Sequence, residues 1–231
     1  MLRRNVKMIN VAIDGPAGAG KSTIARAAAE KLGFIYVDTG ALYRAVALFV
    51  LQRGIDPEDT NRVISVLPMV EVELKYVDGE QRVYLCGENV SRVIRTPEVS
   101  KAASVVSAIP KVRELLFRLQ QDTASYNNVI MDGRDIGTVV LPKAQVKIFL
   151  TASAEERANR RYKELVEKGQ NVNYDEILAD IKQRDENDMN RAIAPLKQAK
   201  DAILIDNTDL SLEESVNAII EAVENKIGKR G

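Results

Sequence analysis

Ile9-Asn-Val-Ala-Ile-Asp-Gly-Pro-Ala-Gly-Ala-Gly-Lys-Ser22 decides how the rest of the chain is read. It opens as an apolar run from Ile9 to Ile13, and its last eight residues match G-x-x-x-x-G-K-S/T. A strand before the pattern and a helix after it, from about Lys21 to Leu32, supply the context that the pattern needs. The glycines let backbone N–H groups turn inward around a phosphate, and the helix N-terminus adds its dipole. Lys21 would bridge the β- and γ-phosphates of a nucleoside triphosphate, and the Ser22 hydroxyl would ligate Mg²⁺.

Working outward, Phe34 to Val37, Val129 to Met131, Val146 to Leu150 and Ile203 to Ile205 are further short apolar runs. Continuous rather than alternating hydrophobicity is what a parallel sheet covered by helices requires. Amphipathic helical patterns lie between the runs, so the fold class is α/β and doubly wound. Ser153-Ala-Glu-Glu156 and Ser211-Leu-Glu-Glu214 have the capping-box form, and Ile109-Pro110 places proline at a first helical position. One stretch departs from this pattern. Val70, Val72, Leu74 and Tyr76 alternate with Glu71, Glu73 and Lys75. Asp78-Gly79 then makes a turn, and Val83 and Leu85 alternate again. This predicts an antiparallel hairpin with one wet face. The expected organisation is a core of residues 1–65 and 98–231 with a small β-lobe, 66–97, inserted into it. Lys226 to Gly231 should fray.

Composition excludes several function classes. The chain has 231 residues, 45% of them hydrophobic, enough for one well-buried core. Lys and Arg number 33 and so do Asp and Glu, which argues against nucleic-acid binding by counterion release. No apolar run reaches the roughly 20 residues that span a bilayer. The basic start, Met1-Leu-Arg-Arg-Asn-Val-Lys7, lacks the apolar region of a signal peptide. Cys86 is the single cysteine and is expected to be free and buried. There is no histidine, so any chemistry must use Lys, Arg, carboxylates, hydroxyls or backbone dipoles. A cytoplasmic monomer acting on small molecules fits these limits.

Arginines recur where strands and helices should end. Asp38-Thr-Gly-Ala-Leu-Tyr-Arg44 follows the second strand, where Thr39 can cap a helix and Arg44 projects one turn in. Asp132-Gly-Arg-Asp135 follows the strand Val129 to Met131, at the edge where open α/β sheets bind ligands. Two carboxylates around Arg134 suit a magnesium-water contact through Asp132 and a bidentate phosphate clamp. After Tyr174, the residues Ile177, Ile181, Arg184, Asp188 and Arg191 share one helical face. An Arg184–Asp188 surface pair is the plainer reading of its charged end. Arg157, Arg160 and Arg161 cluster on the helix after Ser153, as an arginine lid (about 153–172) over a transferring phosphoryl group would require, or as an ordinary basic face. These arginines exceed what a triphosphate alone needs, whereas two nucleotides held end to end would use them. A regulatory P-loop switch and a nucleic-acid module are the competing classes. The first lacks an Asn-Lys-x-Asp guanine motif, and the second lacks a basic excess.

Taken together, Ile13 to Ser22, Asp38 to Arg44, Asp132 to Asp135, and Arg184-Asp185 with Asp188-Met-Asn-Arg-Ala-Ile-Ala-Pro195 resemble the bacterial cytidylate kinase family over essentially the whole length. The resemblance implies a P-loop NTPase-type five-stranded parallel sheet flanked by helices. It also implies an enlarged monophosphate-binding region and an arginine-rich lid. The implied activity is transfer of the γ-phosphoryl of ATP to CMP or dCMP with Mg²⁺. The ATP-binding set is Gly15, Pro16, Ala17, Gly18, Ala19, Gly20, Lys21, Ser22 and Thr23. By resemblance Arg44, Arg134 and Arg191 hold the CMP phosphate, and Ser104, Arg113 and Asp135 read the cytosine. Arg184 and Asp188 face the sugar, and Thr39 and Tyr43 line the acceptor pocket. Lys21, Arg134, Arg157, Arg161 and Arg191 form the expected catalytic group. Ser22 stands where some relatives have Gly, and Thr39 where some have Ser.

Overall fold

The computed structural model describes residues 8–77 and 79–228. The basic N-terminal stretch 1–7, Asp78 of the expected turn and the last residues 229–231 lie outside them. In chain order come β1 (Asn10–Asp14), α1 (Lys21–Leu32), β2 (Ile35–Asp38), α2 (Thr39–Gln52) and α3 (Thr60–Val66). Then come β3 (Val72–Val77), β4 (Glu80–Leu85), β5 (Glu88–Asn89), α4 (Pro97–Val106) and α5 (Pro110–Tyr126). The chain closes with β6 (Val129–Gly133), β7 (Val146–Thr151), α6 (Ala154–Glu167), α7 (Tyr174–Met189), β8 (Ile203–Asp206) and α8 (Leu212–Ile227).

The described residues form two compact units. One runs up to Tyr36 and resumes at Asn128, and the other spans Val37–Asn127. A parallel sheet of order β2-β6-β1-β7-β8 organises the first. Its central apolar runs are fully buried, Val11, Ala12 and Ile13 of β1 and Val129, Ile130 and Met131 of β6, whereas Leu204 of β8 is exposed. Val11, Ile13, Ile130, Ile148 and Leu150 pack with Ile24, Ala28, Val216 and Ile219 from α1 and α8. The chain moves to one side of β1 for β2 and β6 and to the other for β7 and β8. The loop after β1 therefore stands at the topological switch point, where such sheets bind ligands. Gly15 is required in that loop. Its φ is +153°, and an added Cβ would overlap the Leu150 carbonyl oxygen.

The second unit has its own core. Leu42, Val46, Phe49 and Val50 of α2 pack with Val99 and Val106 of α4, Leu116 of α5, and Val83 and Leu85 of β4. The expected hairpin is present as a three-stranded antiparallel sheet, β3-β4-β5, with Leu74 opposite Val83 and Val72 opposite Leu85. Cys86 departs from expectation. It is exposed, because Cys86 and Gly87 form the tight corner between β4 and β5 with φ of 48° and 84°. Two successive positive φ angles are what the strand twist demands of a primed hairpin turn.

Helix starts follow local chemistry. Ser211 and Glu214 complete a reciprocal capping box, and Pro110 opens α5. Ser153 accepts from the Glu156 N–H, but the Glu156 carboxylate turns instead to Arg160. The cap of α2 lies one residue earlier than expected. The Asp38 carboxylate accepts from the Ala41 N–H, and Thr39 is the first helical residue. Among the described residues no helix is long and apolar enough to cross a membrane.

Candidate active site

In the first unit, the loop from Gly15 to Gly20 leads into α1 with Gly18 and Gly20 at φ of 77° and 79°. These left-handed positions turn the main chain inward before Lys21. The Lys21 side chain is buried, and its ammonium donates to the Pro16 carbonyl at 2.6 Å. Burial, followed by the nearby Arg134 guanidinium, pushes the Lys21 pKa well down, while Asp132 and Asp188 pull the other way. The loop is anchored from outside as well. Asn207 donates to the Ala19 carbonyl at 3.0 Å, and Arg157 donates to the Ala17 carbonyl at 3.0 Å.

The β6 end lies in register beside the β1 end, Ile13 opposite Asp132. Asp132 is buried and accepts from the Tyr36 hydroxyl at 2.9 Å and the Ser22 hydroxyl at 3.1 Å. A hydroxyl and a carboxylate held side by side are oxygen donors of the kind Mg²⁺ takes. Among the described residues no group of three or more His, Cys, Asp or Glu gathers to hold a metal.

Asp188, near the end of α7, joins two of the expected phosphate arginines. Arg134 Nε donates to one carboxylate oxygen at 2.7 Å, and Arg191 Nη2 donates to the other at 2.7 Å. Burial opposes ionisation of Asp188, but Arg134, Arg191 and Arg184 overcome it and hold the carboxyl below its usual range. Arg191 lies beyond the last turn of α7 rather than on its helical face, and reaches Asp188 at i,i+3. Its Nε–H is buried without a hydrogen-bond partner among the described residues. Asp188 is thus held between Arg134 and Arg191, with the Arg184 charge close enough to add to their pull.

The three arginines of α6 separate. Arg157 is 4% exposed and makes a bidentate pair with Asp185 of α7, at 3.0 and 2.6 Å. That pair fixes it beside α7. Arg160 caps the Asn207 carbonyl at 2.7 Å, and Arg161 is exposed beside Glu164.

Asp14 is a residue that motif reading passes over. It is 3% exposed, and its two oxygens accept from the Ile136 and Gly137 N–H groups at 2.7 and 2.8 Å. It thereby anchors the wide single helical turn Ile136–Val140, whose i→i+5 hydrogen bonds follow directly on buried Asp135. Burial raises the Asp14 pKa from 3.8 to about 6, against the pull of those two N–H groups. Between these values the folded chain holds a proton that the unfolded chain has released, so this group lowers stability as pH rises from about 4 to about 6. A carbon-detected NMR titration of the ligand-free protein should give Asp14 a midpoint near 6. A midpoint near the ordinary carboxylate value of about 4 would contradict this.

In the second unit, Arg44 of α2 donates to Asp38 at 2.8 Å. The Arg113 guanidinium sits 5.6 Å from the centre of the Tyr43 ring and donates to the Ser107 carbonyl at 3.3 Å. Ser104 is half-buried one turn before Ser107, whose hydroxyl donates to the Ser104 carbonyl. Thr39 is buried. Thr39, Tyr43, Arg44, Ser104 and Arg113 thus belong to this unit, and the other expected site residues to the first.

A phosphate loop at the switch point of a parallel sheet, with guanidinium groups gathered at the neighbouring strand end, defines a P-loop kinase fold. The family model for cytidylate kinase matches residues 11–225, and the chain belongs to that family. It is 56% identical to a cytidylate kinase of Caldicellulosiruptor bescii over 216 residues, covering 94% of this chain and 96% of that one. It is 47% identical to a cytidylate kinase of Bacillus subtilis, covering 95% and 98% of the two chains. The fold is also similar to the crystal structure of an uncharacterized protein from Eubacterium ventriosum. The TM-score is 0.53 at 15% identity, with 95% of this chain and 99% of that one covered.

Proposed function

We propose that the protein transfers the γ-phosphoryl group of ATP to CMP or dCMP, giving ADP and CDP or dCDP. The observation that carries this reading is the Arg134–Asp188–Arg191 cluster in the same unit as Lys21. A triphosphate is served by the loop Gly15 to Thr23. The paired guanidiniums are the groups that a second phosphate needs.

In this reading Arg44, Arg134 and Arg191 hold the acceptor phosphate, whose oxygen is already anionic at neutral pH. No general base is required, so a chain without histidine suffices. Lys21, Arg157 and Arg161 offset charge on the transferring group. Ser22, and Asp132 through water, would hold Mg²⁺, which when bound neutralises charge between the β- and γ-phosphates. Arg184 and Asp188 face the sugar, while Thr39 and Tyr43 line the pocket. Ser104, Arg113 and Asp135 read the base. Asp135 accepts from the cytosine amino group, whereas uracil would present an acceptor and leave a buried carboxylate unpaired. The protein acts as a cytoplasmic monomer on small nucleotides, without nucleic acid or membrane.

An ADP-release assay with ATP, Mg²⁺ and a panel of acceptors tests this. CMP and dCMP should turn over fast and UMP at least about tenfold more slowly in kcat/KM. AMP or UMP matching CMP would overturn the specificity, and ADP release without an acceptor would favour a hydrolysing switch.

A further inference from the structure

Asp38 closes β2, and β2 is an outer strand of the parallel sheet. Such a strand leaves main-chain N–H and C=O groups without a strand partner, and both groups of one residue point to the same side. At Asp38 they are met by a side chain. Gln81 of β4 accepts from the Asp38 N–H through Oε1 at 2.8 Å and donates to the Asp38 carbonyl through Nε2 at 3.3 Å. A primary amide has the donor and acceptor of a peptide group, so Gln81 stands in for one residue of a neighbouring strand.

The groups beyond Asp38 give this contact its consequence. One carboxylate oxygen caps α2 through the Ala41 N–H at 2.9 Å, and the other accepts from Arg44 Nη2 at 2.8 Å. Arg95 Nη2 lies 3.7 Å from that second oxygen. Arg44 lies across Gly40, where an added Cβ would stand 3.0 Å from its Nη1 and 3.2 Å from Asp38 Oδ1. With its carboxylate fixed at both oxygens and its main chain fixed by Gln81, Asp38 sets the direction of the Arg44 side chain. Arg44 Nε–H is buried without a hydrogen-bond partner among the described residues. A guanidinium held by one edge, with another donor unsatisfied, is arranged for an anion.

We propose that Gln81 is a positioning residue for the acceptor phosphate, acting through Asp38 to aim Arg44. The antiparallel β3-β4-β5 sheet therefore contributes to substrate binding through one amide that touches no substrate. The proposal rests on the reading of Arg44 as an acceptor-phosphate ligand.

Steady-state kinetics of the full chain test it with Gln81→Ala, Gln81→Met, Arg44→Ala and the Arg44→Ala/Gln81→Ala double variant. Gln81→Met keeps the apolar length, so a loss shared by both Gln81 variants is a loss of the amide. Both should raise KM for CMP about five- to tenfold, the worth of one or two ordinary hydrogen bonds. Values of kcat and of KM for ATP should stay within about twofold. In the Arg44→Ala background the Gln81 substitution should add nothing, because the group through which it acts is gone. Unchanged KM in the Gln81 variants, with a raised KM in Arg44→Ala, overturns the proposal and leaves the acceptor site standing. Full additivity in the double variant overturns it too, as the mark of a general structural effect. An unchanged KM in Arg44→Ala overturns the acceptor reading itself.

Discussion

Lys21→Ala is expected to lower kcat by about 10²- to 10³-fold, the usual cost of deleting one preorganised donor at a site of developing charge. Lys21 is the first residue of α1, and its buried ammonium is held inside the loop by the Pro16 carbonyl. KM for the acceptor should change less than kcat, because the arginines proposed to hold the acceptor phosphate, Arg44, Arg134 and Arg191, all remain. The fold should not suffer. The charge is buried and stands near Arg134 and Arg184, so its removal relieves repulsion in the ligand-free protein. The thermal midpoint should therefore hold or rise while ADP release collapses. Activity within about tenfold of the parent would remove Lys21 from the mechanism.

Arg134→Ala and Arg191→Ala should each lower kcat/KM for CMP by about 10²-fold or more, close to 2.7 kcal/mol at the transition state. Each donates to a different oxygen of Asp188, so each single variant leaves that buried carboxylate one partner. The single variants should therefore fold, with modest losses of thermal stability. The double variant strips Asp188 of both hydrogen-bonded partners and leaves a buried carboxylate with only the Arg184 charge nearby, which should cost up to about 3–5 kcal/mol. Its carboxyl should also lose the depression of pKa that these two guanidiniums cause. Steady-state kinetics and denaturant unfolding check the two halves separately. Near-normal turnover in both single variants would remove the acceptor-phosphate assignment.

The parallel sheet is legible because its strands are apolar without a break, and each apolar run stops one or two residues short of its strand's carboxyl end. Asp14, Asp38, Asp132-Gly133, Thr151 and Asp206 complete the strands. Hydrophobicity stops there for a physical reason. The carboxyl edge of the sheet carries polar side chains, and those of Asp14, Asp38 and Asp132 are buried by other polar groups instead of by core. Residues that form the loop and the strand-end motifs were found by spacing.

Those that steady the motif residues were not found. Asp185 meets Arg157 from 28 positions away, Gln81 meets Asp38 from 43 and Asn207 meets Ala19 from 188. No local period encodes such pairings. A strand that ends in a buried Asp just before the glycine loop is a signal that could have singled out Asp14. The α6 arginines show the opposite failure. Spacing of i, i+3 and i+4 grouped them, whereas a polar helix passing beside the phosphate loop sends Arg157 inward and leaves Arg161 in solvent.

The central claim is that the γ-phosphoryl group leaves ATP only for a cytidine monophosphate. Following ATP, Mg²⁺ and CMP by phosphorus NMR with the protein present tests it most directly. The γ-phosphate signal should be replaced one for one by the β-phosphate of CDP, with no inorganic phosphate, and ATP should persist when CMP is left out. Inorganic phosphate appearing in place of CDP would contradict it.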